Sequence, residues 1–119
     1  MDTITVRRVY DEPEPDDGTR VLVDRLWPRG VSKERAAVDE WLKEVAPSTE
    51  LRKWYHEDSS RYEQFDSRYR HELEHGPAAE ALDHLLALAR SGPVTLVTSV
   101  RSVEGSHVPT LVDLLKRSI

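Results

Sequence analysis

Residues Thr19–Gly30, TRVLVDRLWPRG, are the stretch on which the reading of this chain turns. Val21, Leu22 and Val23 are a short apolar, β-branched run, the pattern of a buried strand. Asp24, Arg25, Trp27, Pro28, Arg29 and Gly30 follow at once. A strand that runs out into a carboxylate, guanidinium groups, an indole and a Pro/Gly turn places polar groups at the rim of a sheet. In open α/β sheets, ligands bind beyond the carboxyl ends of the strands. This rim is therefore the first candidate site.

Upstream, Ile4 and Val6 alternate with Thr3, Thr5 and Arg7, which predicts a strand reaching towards Val9. Asp11–Gly18 is rich in acids and proline and closes on Asp17-Gly18, so it reads as a solvated surface loop; its spacing does not match a calcium loop. Downstream, Ser32 is an N-cap for a helical turn over Lys33–Ala36. Val38, Trp41, Leu42 and Val45 stand at i, i+3, i+4 and i+7, which favours a helix over a strand. Ser48 or Thr49 caps a short helix with Leu51, Trp54 and Tyr55 on its apolar stripe. Asp58 or Ser59 starts a longer one through Tyr62, Phe65, Tyr69 and Leu73, ended by Gly76-Pro77. A further helix over Ala78–Arg90 buries Leu82, Leu85, Leu86 and Ala89. Val94–Thr98 is a second buried strand and Ser99–Gly105 a loop. A last helix, capped at Ser106, buries Val108, Leu111, Val112 and Leu115.

Strands near both ends, separated by helices, predict an α/β fold: one compact domain over residues 1–119 with a small, mostly parallel sheet flanked by helices. If the two best strands are parallel, the Asp24–Gly30 turn and the Ser99–Ser106 loop share one edge of it.

A length of 119 residues suits a single domain with its own core. The net charge of −5 argues against broad nucleic-acid binding. The chain has no cysteine, which excludes disulfides, thiol catalysis, cysteine-ligated zinc and Fe–S clusters. No apolar run is long enough to span a membrane, and the N-terminus lacks the apolar core of a signal peptide. A cytoplasmic protein is the expectation.

Val21–Gly30, Asp39 with Trp41, Ala46–Ser48, Glu50–Trp54, Tyr69 with Glu72-Leu73, and Val94–Ser99 together resemble the family called domain of unknown function 488, close to its YeaO-like branch. The resemblance covers nearly the whole chain. It implies a compact α/β fold and supplies no established activity. The branch usually carries a polar or acidic residue, and then Asn-His, before the last helix. Ser102, Ser106 and His107 stand at those positions here, so the amide is replaced and the imidazole kept.

Asp24, Arg25 and Arg29, joined by Arg52 and Arg101, have the chemistry of an anion site. Arg offers a planar fork to phosphate or carboxylate, and a neighbouring Asp can orient it. The same residues also suit an ion-pair network that pins the Trp27-Pro28 turn. Trp41 and Trp54 fit core positions, whereas Trp27 fits core and pocket wall equally. Ser99 stands where a nucleophile can stand, but no G-x-S-x-G elbow surrounds it. His107 is the better general-base candidate among the histidines.

His71-Glu72-Leu73-Glu74-His75 formally satisfies H-E-x-x-H. Without an evident third ligand, and with the helix ending directly after it, no metal and no cofactor are expected. Two function classes stay open. One is a module or enzyme that holds an anionic small molecule at the rim, through Asp24, Arg25, Trp27, Arg29, Arg52, Ser99, Arg101 and His107. The other is a non-catalytic interaction module that docks a protein partner on a Trp/Arg surface.

Overall fold

A computed structural model describes residues 4–118; Thr3, in the expected first strand, lies outside them. Four strands form one sheet: β1 (Ile4–Arg8), β2 (Thr19–Leu22), β3 (Glu40–Trp41) and β4 (Val94–Thr98), in the order β1-β4-β2-β3. Every pair is parallel. The two runs singled out in the sequence are thus neighbours, with Val21 opposite Leu96 and Leu22 opposite Val97. Val23 extends β2 by donating its N–H to Val97 O at 3.1 Å. Central β4 is buried along its whole length. That agrees with the near-continuous apolar character of strands covered on both faces.

The helices are α1 (Lys33–Ala36), α2 (Thr49–Glu57), α3 (Tyr62–Glu72), α4 (Gly76–Ser91) and α5 (Val108–Ser118). Period-2 alternation sends Ile4, Val21, Val23, Val94 and Leu96 into a large core with the apolar stripes of α2 to α5. Phe65 stacks on Tyr55 with ring centroids 4.3 Å apart, and the buried Tyr69 hydroxyl donates to Val45 O at 2.5 Å. Burial raises the Tyr69 pKa well above its ordinary value.

The opposite face has a thinner cover. Leu22, Val97 and Val9 meet Ala36, Trp27, Val31 and Val38 there, and α1 supplies its one helical turn. Its polar tie is Arg20, whose Nε and Nη2 donate to the Ala37 and Ala36 carbonyls at 2.9 and 3.0 Å and so close the end of α1. The third donor, Nη1, reaches Asp17 Oδ2 at 2.6 Å, and Arg7 Nε reaches Oδ1 at 2.8 Å. Burial opposes the Asp17 charge, yet the Glu14 N–H, Arg7 and Arg20 hold its carboxyl below the usual carboxylate range. Asp17 is therefore a buried anchor, unlike the solvated loop acid the sequence suggests. Gly18 beside it has φ +68°, and a Cβ there would stand 2.2 Å from Pro93 O, so only glycine fits.

The segment Val38–Val45 departs from its helical spacing. Asp39 N–H donates to Arg20 O and Leu42 N–H to Leu22 O, at 2.8 and 3.0 Å, which makes Glu40–Trp41 an edge strand. A 3-10 turn at Lys43–Val45 follows. The open edge of β2 offers backbone partners that outweigh a four-residue apolar period. Val38 then packs on the thin face while Val45 enters the large core. Trp41, expected in the core, is 38% exposed on that edge.

Candidate functional site

Asp24, Ser99 and His107 converge at the carboxyl ends of β2 and β4. Asp24 Oδ1 accepts the Thr98 hydroxyl at 2.7 Å. Oδ2 accepts the Ser99 N–H and the Ser99 hydroxyl at 2.7 and 2.9 Å. The carboxylate, only 7% exposed, thus stitches the end of β2 to the end of β4. His107 Nε2 lies 2.8 Å from Val23 O. A carbonyl only accepts, so Nε2 carries the proton. Asp24 Oδ1 is 3.7 Å from the same nitrogen, beyond hydrogen-bond range. Burial pushes the His107 pKa down, against the Asp24 charge and the Val23 bond, and the Arg52 charge pushes the same way as burial. A neutral ring whose Nε2 proton is given to the backbone braces the end of β2; that nitrogen has no lone pair with which to act as a base. Ser106 accepts from Val108 N–H and donates to Val103 O, and so supports the start of α5.

The remaining candidates make no hydrogen bond to this cluster. Arg25 turns away: Nη2 donates to Ala46 O and Pro47 O at 2.9 and 3.3 Å, and Nη1 to Glu44 at 3.2 Å. Its Nε is buried without a partner among the described residues. Trp27 donates from Nε1 to Val31 O at 2.7 Å and meets Trp41 edge-on, which closes its own turn. Trp41 in turn donates to Asp24 O at 2.8 Å. The Trp27-Pro28 bond is trans. Arg29, Arg52 and Arg101 are exposed, and their side chains make no hydrogen bond or ion pair with the described residues. Of the eight candidates, three are tied together at the rim, Arg25 and Trp27 are bonded elsewhere, and Arg29, Arg52 and Arg101 stay unbonded among the described residues, with Arg52 near enough for its charge to act on His107.

A second region is a groove of 720 Å³ between α2 and α3, lined by Ser48, Leu51, Trp54, Arg68, His71 and Glu72 among others. Trp54 is half-buried here, its ring under two guanidinium groups: Arg68 at 4.0 Å and Arg61 at 4.8 Å from the centroid. Arg68 makes no ion pair among the described residues. The sequence signal was the seven-residue spacing of Arg61 and Arg68, two helical turns, which returns both to one side of α3. Trp54 packs in part against the large core, as its spacing predicts, and both arginines lie over its ring.

The H-E-x-x-H stretch divides in the structure. Glu72 reaches back to α2, where Oε1 accepts the Ser48 N–H at 2.9 Å and Oε2 its hydroxyl at 2.5 Å. Ser48 in turn caps α2 by accepting Leu51 N–H at 3.1 Å. The acid that would serve a zinc hydrolase as base is therefore committed to a helix cap. Glu74 instead groups with His71 and His75, their ligand atoms all within 4.8 Å of one another.

A model of the family described as the inactive DUF488-N3 subclade matches residues 3–119. The chain belongs to the DUF488 family. It is 49% identical over 112 residues to the uncharacterised protein Rv3073c of Mycobacterium tuberculosis, covering 94% of this chain and 92% of that one. It is 43% identical over 114 residues to the uncharacterised protein YeaO of Escherichia coli, covering 95% and 96%. No solved structure matches it. None of the described helices is long and apolar enough to cross a membrane.

Proposed function

We propose that this domain is a non-catalytic docking module and that the groove between α2 and α3 takes an acidic segment of a protein partner. The observation that carries the reading is Trp54, open to the groove beneath Arg68, a guanidinium with no carboxylate partner among the described residues. An indole beside an unpaired Arg offers an apolar platform and a bidentate carboxylate receptor, the residue types enriched where interfaces concentrate their energy. Glu72 keeps its negative charge, but Ser48 occupies both of its oxygens and fixes them at the cap of α2. Glu50 lines the groove as well, so the partner's carboxylates belong on the Arg68 side. The engaged state of Asp24 and His107 and the description of the subclade as inactive support a role without catalysis. A cytoplasmic setting accords with a chain that has no cysteine.

A second reading places an anionic small molecule at the rim, favoured by the unpaired charges of Arg29, Arg52 and Arg101. Titrating isotope-labelled protein with a short glutamate-rich peptide, and separately with citrate, distinguishes the two. The docking reading expects peptide-induced NMR shifts centred on the Trp54 indole and lost in Arg68→Ala. Citrate-induced shifts centred on Arg29, Arg52 and Arg101 would replace it with the rim reading. No saturable shift from either probe overturns both.

A further inference from the structure

We propose that His71, Glu74 and His75 form a binding site for a borderline divalent transition metal, of which zinc is the simplest probe. The site adjoins the groove, whose lining includes His71, but its donor geometry does not rest on the docking reading. His71 lies in the last turn of α3, Glu74 in the turn after it, and His75 at the N-cap of α4. Positions i, i+3 and i+4 share one side of a helical turn, and the turn that follows α3 keeps them together: Glu74 N–H donates to His71 O and His75 N–H to Glu72 O, at 3.1 and 3.3 Å.

The donor set is two imidazoles and a carboxylate, which suits zinc and its neighbours. Their ligand atoms lie within 4.8 Å of one another, and the two rings have centroids 4.8 Å apart. Metal–ligand bonds of about 2.0–2.2 Å set tetrahedral ligand atoms roughly 3.4 Å apart, so the widest pair has to close by up to roughly 1.4 Å. All three side chains are exposed, so rotation about their own bonds suffices.

One ring already makes the outer bond that a ligating histidine uses. His75 Nδ1 lies 3.0 Å from His71 O, and because a carbonyl only accepts, Nδ1 carries the proton. In the neutral ring this leaves the Nε2 lone pair free. A ligating histidine that donates its other N–H to a backbone carbonyl is the usual outer-sphere arrangement of metal sites. Glu74 Oε1 lies 3.7 Å from His71 Nδ1, and no hydrogen bond among the described residues holds it away from an ion. Water completes the coordination. With Glu72 committed to Ser48, the site binds a metal without the base that hydrolysis requires. Coordination ties the end of α3 to the start of α4.

The test is calorimetric titration of untagged protein with zinc chloride, followed in parallel by NMR of the histidine side chains. The expected result is one saturable site, with shifts at His71 and His75. His71→Ala and His75→Ala should each weaken binding by at least about tenfold, and Glu74→Gln should weaken it less. His84→Ala, which alters a histidine paired with Glu40 elsewhere, should leave it unchanged. All four positions are exposed, so the far-UV circular dichroism should stay that of the parent. Absence of saturable binding, or equal affinity in His71→Ala and the parent, overturns the proposal.

Discussion

The rim at the ends of β2 and β4 and the groove between α2 and α3 draw on the same kinds of residue and behave in opposite ways. At the rim, Asp24 spends both oxygens on Thr98 and Ser99, His107 gives its Nε2 proton to Val23, and Arg25 caps the carbonyls of Ala46 and Pro47. In the groove, Arg68 and Trp54 face each other and the space beside them. Burial makes the difference. A polar group withdrawn from water must find partners inside the fold, because an unmet one costs about 1–3 kcal/mol. The polar residues nearest the centre of the sheet are consequently consumed by structure. Those on the outer helices keep their capacity for a ligand.

The largest expected effect tests the closed character of the rim. Asp24→Ala leaves the Thr98 hydroxyl and the Ser99 N–H without their acceptor, and should lower unfolding stability by on the order of 3 kcal/mol. In urea denaturation, a loss below about 1 kcal/mol would mean that the carboxylate is not holding β2 to β4. Zinc affinity of the folded variant should match the parent.

A smaller effect follows from His107. Its folded pKa lies below the unfolded value of about 6.5, so the unfolded chain takes up the proton first as pH falls. The contribution is fully present above about pH 6.5 and is lost as pH falls through that value towards the folded pKa, at about 1.4 kcal/mol per unit of depression. Thermal melts from pH 8 to pH 5 should show this loss in the parent and a flatter profile in His107→Gln, whose side-chain amide can still donate to Val23 O. Identical slopes would show that another group carries the dependence.

The smallest effect belongs to the groove. Arg68→Ala should change stability by no more than about 1 kcal/mol, since it forfeits an exposed cation–π contact and little else, while removing the peptide response of Trp54. A large loss of stability there would mean that the groove is as structural as the rim, and the contrast between the two regions would fail.

Val21–Val23 and Val94–Thr98 are legible as strands because burial on both faces demands unbroken apolar runs. Phe65, Tyr69 and Leu73 are legible as a helix because their spacing repeats one face over several turns. The family follows from ten contiguous residues, Val21–Gly30, whose match extends along the chain. Val38–Val45 misleads because its apolar spacing is short and the open edge of β2 competes for its backbone. Arg25 and Asp17 mislead because a charge reads the same whether solvated or paired.

Local order, then, is what the sequence determined by itself: where the central strands lie, which helices have a buried face, and which family the chain joins. Periodicity and apolar runs are properties of neighbours along the chain, so they are visible without a fold. Only the tertiary structure decided that Asp24 is spent on Ser99, that Glu72 caps α2 while Glu74 stands with two histidines, and that Arg68 has no ion pair among the described residues. Partners such as Asp24 and Ser99, 75 positions apart, are chosen by how the elements pack. A side chain's freedom to bind anything else is whatever that packing leaves over.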